Sequence, residues 1–244
     1  MASFIIADLH LSLSLPNKSM TVFGPAWHDY QSRLEKQWRN VVSADDTVIL
    51  PGDLSWAITM EEALPDFEFL NALPGRKILG KGNHDFYWTS MSKMKSFCLS
   101  HHFDTISFLQ NNAMVLEDPG IVLCGTRGWF IEKDYQPDRV NADFDKVLNR
   151  EIIRLKLSLE EAGKLSSETG LPIVAALHFP PAFAGMKCEP ILDLLEAYSV
   201  KRCYFGHIHG QYQVPQVTYE KGIELVFIAA DYLHFSPYPV KNVK

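Results

Sequence analysis

The chain has 244 residues, 47% of them hydrophobic and 21% charged, the balance of a soluble globular protein with ample apolar material for a core. Its formal net charge of −6 argues against a broad grip on a nucleic-acid backbone, and no apolar run reaches the length of a membrane span. The four cysteines, Cys98, Cys124, Cys188 and Cys203, include no C-x-x-C pair and are expected as buried free thiols. The first residues run directly into a strand-like segment without a basic leader, so the expected location is cytoplasmic.

In chain order, residues 3–7 read as a buried strand that stops at Asp8-Leu9-His10. Residues 11–25 have no clear period and read as a long loop. Trp27, Tyr30, Leu34, Trp38 and Val41 recur at helical spacing. A second strand over 47–50 ends in Pro51-Gly52-Asp53, and Thr59-Met60-Glu61-Glu62 has the form of a capping box opening a helix that Pro65 is expected to bend. A third strand over 77–79 leads into Lys81-Gly82-Asn83-His84-Asp85, followed by a helix carrying Tyr87, Met91, Met94 and Cys98. Residues 113–116 and 121–124 form a hairpin about Asp118-Pro119-Gly120. A long helix from Phe144 is expected to end near Gly163. A strand over 172–177 ends in His178, a short helix starts at Glu189-Pro190, and a strand over 202–205 ends in Gly206-His207-Ile208-His209-Gly210. Residues 213–218 and 224–229 read as two further strands. Without repeats, linkers or low-complexity stretches, residues 1–244 read as one α/β domain.

Five apolar runs thus stop at groups able to bind a metal: Asp8-x-His10, Gly52-Asp53, Asn83-His84, His178 and His207-x-His209. Ligands of open α/β sheets bind beyond the carboxyl ends of the strands, so strands sharing one rim would gather these groups. Side chains two apart in an extended segment point the same way, which lets Asp8 act with His10 and His207 with His209. Each piece alone has a plainer reading. Gly-Asn-His-Asp can be a tight turn with a helix cap, Asp53 a turn residue, and His178 a satisfied buried histidine. His28, His101, His102 and His234 stand outside the pattern and read as surface or loop residues.

In this order the motifs resemble the calcineurin-like metallophosphoesterase superfamily, and the likeness runs from Asp8 to His209. The resemblance implies a four-layer α/β/β/α sandwich with two mixed sheets and a two-metal site at its rim. It implies that Asp8, His10, Asp53 and His209 hold one divalent ion, that Asp53 bridges to a second completed by Asn83, His178 and His207, and that His84 is the catalytic histidine. Mixed nitrogen and oxygen ligation suits Mn, Fe, Zn, Ni or Co. Two such ions can activate a shared water near neutral pH, which implies direct attack of a bridging hydroxide on a phosphoester, without a phospho-enzyme. His84 would act as acid or as donor to the transition-state oxygens.

The second motif departs from the protein Ser/Thr phosphatases of that superfamily, which continue Gly-Asp-x-x-Asp-Arg-Gly. Here Gly52-Asp53-Leu54-Ser55-Trp56-Ala57-Ile58 lacks both the Asp that orients the histidine and the Arg that grips phosphate. Asp85 stands open as an orienting group or a helix cap. Arg127, between Thr126 and Gly128, stands open as a phosphate donor or a surface arginine. Residues 11–25 and 129–141 are the candidate specificity loops, with Trp129, Phe130 and Tyr135 placed to stack on a base or to cover the core edge. The expected substrate is a phosphodiester or phosphomonoester of a small molecule or nucleotide, without a membrane partner or an extended nucleic-acid track. A catalytically silent scaffold and a nuclease for short nucleic acids are the competing readings.

Overall fold

The computed structural model describes residues 1–129 and 144–243. The strands are β1 (Ser3–Ile5), β2 (Thr47–Pro51), β3 (Arg76–Gly80), β4 (Ile106–Phe108), β5 (Asn112–Leu116), β6 (Ile121–Thr126), β7 (Ile173–Leu177), β8 (Ala182–Phe183), β9 (Met186–Lys187), β10 (Arg202–Phe205), β11 (Val217–Glu220), β12 (Ile223–Phe227) and β13 (Tyr238–Pro239). The helices are α1 (Tyr30–Val41), α2 (Met60–Ala72), α3 (Met91–Ser100), α4 (Phe144–Thr169) and α5 (Glu189–Ala197).

Two mixed sheets hold the fold. The first has the order β13-β1-β2-β3-β4 and the second β11-β12-β10-β7-β6-β5. Within the first, β1 to β4 run parallel; within the second, β6, β7, β10 and β12 run parallel. The layers follow from strands apolar on both faces, as sheets covered on both sides require. Ile5, Ile49 and Ile78 point between the sheets at Leu123, Val174, Ala176 and Val226. Their neighbours Ile6, Val48, Leu50 and Leu79 point outward against Leu34 and Trp38 of α1, Phe67 and Leu70 of α2 and Met94 of α3. On the far side, Val122, Ala175, Cys203 and Leu225 pack beneath Leu155 and Leu159 of α4 and Leu192 and Leu195 of α5. This is the expected α/β/β/α arrangement. All four cysteines are buried and free.

Several boundaries differ from the sequence expectation. Residues 16–27 are not featureless loop but three 3-10 turns, and Asp29 breaks the chain before α1 starts at Tyr30. The capping box at Thr59 and Glu62 forms, and α2 continues through Pro65. Helix α3 starts at Met91, capped by Ser90, because residues 82–88 are drawn into the loop that serves the site. Helix α4 passes through Gly163, where a Cβ would fit against the Tyr198 ring, and stops at Gly170, whose φ of 72° ends the helix. The strand read at 213–218 is Val217–Glu220, and β4, β8, β9 and β13 are too short to carry a periodic signal. Among the described residues, no helix is long and apolar enough to cross a membrane.

Candidate metal centre

Because β1, β2 and β3 are parallel, Asp8, Asp53 and Asn83 leave the same edge of the first sheet. For the same reason Arg127, His178 and His207 leave one edge of the second. The two edges are joined where the chain beyond β1 meets the chain beyond β12: Ala7 N donates to Ile228 O (2.9 Å), Ala230 N donates to Ala7 O (2.9 Å), and Ala7 pairs with Ala229. Past the strand ends, β1 and β2 stay zipped through Asp8 N to Gly52 O (3.0 Å) and His10 N to Asp53 O (2.9 Å). All five strand-end motifs therefore meet at one rim.

The ligand-type atoms fall into two groups, Asp8 with His10 and His209, and Asp53 with His178 and His207, each with its donor atoms within 4.8 Å of one another. His10 Nε2 lies 3.1 Å from His209 Nε2 and 3.7 Å from Asp53 Oδ2. His178 Nε2 lies 3.4 Å from Asp53 Oδ2 and 2.6 Å from Asn83 Oδ1, and His178 Nδ1 lies 3.5 Å from Asp8 Oδ1. Asp53 thus faces both groups. Its other oxygen, Oδ1, accepts the His84 backbone N–H at 2.8 Å, which ties His84 to the carboxylate between the groups.

The local backbone is costly. Asp8, His10, Asp53 and His207 all have positive φ, between 46° and 72°. For non-glycine residues this region is disfavoured, and such residues gather where a site over-determines them. Two glycines make room for the carboxylates: a Cβ on Gly82 would overlap that of Asp53, and one on Gly206 would overlap that of Asp8.

Burial, then the charge of Asp53, pushes the Asp8 carboxyl well above the usual carboxylate range, and burial followed by the charge of Asp85 does the same to Asp53. Burial and then the neighbouring imidazoles push His10 and His178 well below the usual histidine range, which keeps ring lone pairs free. Among the described residues, Asp8 Oδ1 is buried without a hydrogen-bond partner. Two crowded carboxylates, one with an unpaired oxygen, beside neutral imidazoles are the donor set of a cation site. The 3.1 Å between the His10 and His209 nitrogens also suits two donors sharing one ion at bonds of about 2.1 Å. The residues fit divalent cations.

His84 sits beside both groups. Its ring lies 4.4 Å from Trp56, 5.6 Å from His10 and 6.1 Å from Phe86. Burial, followed by the charges of His207 and His209, lowers its pKa to about 4. Trp56 also stacks on His10 at 4.9 Å and 24°. The residue standing where an orienting aspartate was sought therefore packs against two site histidines at once.

Asp85 neither orients the His84 ring nor caps α3. It is 1% exposed, and Oδ2 accepts from the amides of Asp53 (2.9 Å) and Gly82 (2.7 Å) while Oδ1 accepts from those of Leu54 (2.9 Å) and Ser55 (3.4 Å). The carboxylate is consumed in clamping the second motif to the third. Arg127 points away from free solvent: its Nη2 donates to Glu151 Oε1 at 2.9 Å, and its guanidinium lies 5.3 Å from the Trp129 ring and 5.9 Å from that of Phe179. Phe130 and Tyr135 lie outside the described residues.

Sequence reasoning missed Asp231. It follows β12, is 2% exposed, and receives His209 Nδ1 on Oδ1 and Gly210 N on Oδ2, both at 3.0 Å. Burial raises its pKa, but the hydrogen bond and charge of His209 outweigh this and leave it below the ordinary carboxylate value. An Asp closing one more apolar run was the available signal.

The chain resembles known proteins as follows. A family model for calcineurin-like phosphoesterases matches residues 1–211. Among solved structures, the phosphopantetheinyl hydrolase PptH of Mycobacterium tuberculosis is 17% identical, with 99% of this chain and 95% of that one covered and a TM-score of 0.57. A protein of unknown function from Aquifex aeolicus, AQ665, is 15% identical over 98% of this chain and 95% of its own, with a TM-score of 0.46. Among curated proteins no relative matches the chain. With the matched model spanning every candidate ligand of both groups, the chain belongs to the calcineurin-like phosphoesterases.

Proposed function

We propose that this protein is a dinuclear metal-dependent phosphohydrolase that cleaves a phosphodiester or phosphomonoester of a small molecule or nucleotide by direct in-line displacement. The carrying observation is the pair of facing triads, Asp8–His10–His209 and Asp53–His178–His207, with His84 beside both. Two divalent ions held there, with Asn83 as a further ligand of the second, would supply an activated water and polarise the phosphoryl oxygens.

The chain's own residues do the rest. Asp53 faces both triads through Oδ2 and fixes the His84 backbone through Oδ1, so ligation and the reacting histidine share one anchor. The neutral His84 ring would donate an N–H hydrogen bond to the transition-state oxygens. Asp231 accepts the Nδ1–H of His209 and so presents the Nε2 lone pair to the site. With only two carboxylates among the ligands, the centre keeps a positive surplus that suits an anionic ester.

Beside His84, Asn17, Lys18, Ser19, Val22, Trp56, Ile58 and Phe86 line a groove of about 470 Å³. Val22, Ile58 and Phe86 are exposed there, which supports an organic leaving group with an apolar part. Asn17, Lys18, Ser19 and Val22 belong to the segment 11–25, which supports a role for it in selecting the substrate.

The test is to load metal-free protein with Mn²⁺ and compare hydrolysis of p-nitrophenyl phosphate and bis-p-nitrophenyl phosphate. Metal-dependent turnover of at least one ester is expected, falling by about 10³-fold or more in Asp53→Ala and about 10²- to 10⁴-fold in His84→Ala. No metal-dependent turnover of either ester would sink the reading.

A further inference from the structure

A second cavity, of about 270 Å³, is lined by Lys81, Leu109, Gln110, Asn111, Thr126, Arg127, Arg150 and Arg154. At roughly 30 Å³ per water, this is room for several waters or for one oxyanion with some of its hydration. It adjoins the metal centre through the chain. Lys81 stands two residues before Asn83, and the Arg127 carbonyl accepts from His178 N (3.1 Å) and Phe179 N (2.9 Å). Arg127 is also near enough for its charge to bear on the Asp53 carboxylate.

The charge of the cavity exceeds what the protein itself requires. Among the described residues, four cationic side chains stand against one carboxylate, that of Glu151, which is fully buried. Three guanidiniums converge on a single oxygen, Glu151 Oε1: Arg154 Nη1 at 2.6 Å, Arg127 Nη2 at 2.9 Å and Arg150 Nε at 4.0 Å. One such pair would neutralise the buried acid; the remaining cations, Arg150 and Arg154 partly exposed, leave a local positive surplus that suits an anion. The polar lining is also biased toward donors. Trp88 Nε1 can only donate, and it donates to Gln110 Oε1 at 2.8 Å, which fixes the orientation of the amide and leaves both N–H groups of Gln110 Nε2 unused by that bond. Arg127 Nε is buried and has no hydrogen-bond partner.

We propose that this cavity seats a second phosphate group of the substrate, so that the ester hydrolysed at the metal centre carries a further phosphate beyond the reacting one. The guanidinium forks match phosphate oxygens, Lys81 adds a point charge, and Glu151 holds the arginines in register. This rests on the phosphohydrolase reading above.

The Mn²⁺-loaded protein is titrated calorimetrically with methylphosphonate and with methylene-, propane-1,3- and pentane-1,5-bisphosphonate, and the same compounds are used to inhibit bis-p-nitrophenyl phosphate hydrolysis. Two tethered phosphonates bridging centre and cavity gain from effective concentration, so at least one bisphosphonate should bind about tenfold or more tightly than methylphosphonate. That ratio should collapse to about twofold or less in Arg150→Ser/Arg154→Ser, and equally in Gln110→Glu, which keeps the Trp88 bond and sets a carboxylate in the cavity. A flat series, or an advantage that survives both variants, overturns the assignment. Two independent equivalents of methylphosphonate without a bisphosphonate advantage also overturn it, since they would mark a site for free phosphate. The two readings fail distinguishably: turnover with a flat series removes the cavity assignment alone, whereas a calorimetric advantage without turnover removes the phosphohydrolase reading, and with it the substrate role of the cavity, and leaves only an anion site.

Discussion

The first sheet ends its parallel strands in Asp8, Asp53 and Asn83, whereas the second ends its own in Arg127, His178, His207 and Asp231. Beyond the strand ends of each sheet stands a buried carboxylate outside the two triads, Asp85 after β3 and Asp231 after β12, and the two are used differently. Asp85, on the first sheet, spends both oxygens on the backbone amides of Asp53, Leu54, Ser55 and Gly82. Asp231, on the second, spends one oxygen on the His209 ring and one on the Gly210 amide. Asp53, at a φ of 51°, sits on strained backbone that the Asp85 clamp holds in place. An imidazole ligand needs its tautomer fixed instead. One carboxylate therefore serves loop geometry and the other serves ligand chemistry.

Replacing Asp85 by Asn should give the largest effect on stability. One oxygen becomes an NH₂ facing two backbone donors, at roughly 1–3 kcal/mol for each buried group left unpaired. The denaturation midpoint of metal-free protein should drop accordingly; an unchanged midpoint would remove the clamp from the account.

The buried cations of the two sheets differ in the same sense. Arg202 on β10 pairs with Glu224 at 2.7 Å, whereas Lys77 on β3 is fully buried and, among the described residues, donates to the carbonyls of Leu73 (2.6 Å) and Gly75 (2.8 Å) without a carboxylate partner. Burial lowers Lys77 from 10.5 to about 8. The unfolded chain therefore holds one more proton between these values, and stability should rise as pH climbs from about 8 to about 10.5, by roughly 3 kcal/mol in all. Below pH 8 the cost of the buried charge is fully present. Lys77→Met should flatten this rise relative to wild type in paired pH series of chemical denaturation, and parallel profiles would refute the assignment.

Asp231→Asn should have the smallest effect and the most selective. Metal affinity should fall about 10- to 100-fold, the usual result of losing a ligand's supporting partner, read by titration against a competing chelator. The metal-free midpoint should move far less than in Asp85→Asn. If the two variants behave alike, the contrast between clamp and tautomer holder fails.

Much of the candidate site was legible because its residues stand in short local patterns. A strand that stops at Gly-Asp or Gly-Asn-His announces itself within five residues, and Gly82 and Gly206 are needed because a neighbouring carboxylate occupies the space of a Cβ. Trp56 and Asp231 were not legible in that way. Trp56 matters through its contacts with His10 and His84, which lie far from it in sequence, and Asp231 through a histidine 22 residues earlier. Helix α4 was cut short at Gly163 because a glycine in a helix and a glycine ending one look alike until the following turns are seen to be packed.

By itself, then, the sequence determined the alternation of apolar strands and amphipathic helices, the two-sided burial of the sheets and the polar residues at the strand ends, since each depends on spacing along one segment. Only the tertiary structure decided which strand ends meet. Pairing of the chain beyond β1 with that beyond β12, through Ala7 and Ala229, brings the two sheets to one rim. That contact spans more than two hundred residues, and no local period encodes it. The turning of Asp85 from His84 to the backbone follows from the same cause: its four amide donors belong to two loops that become neighbours only when β2 and β3 lie side by side.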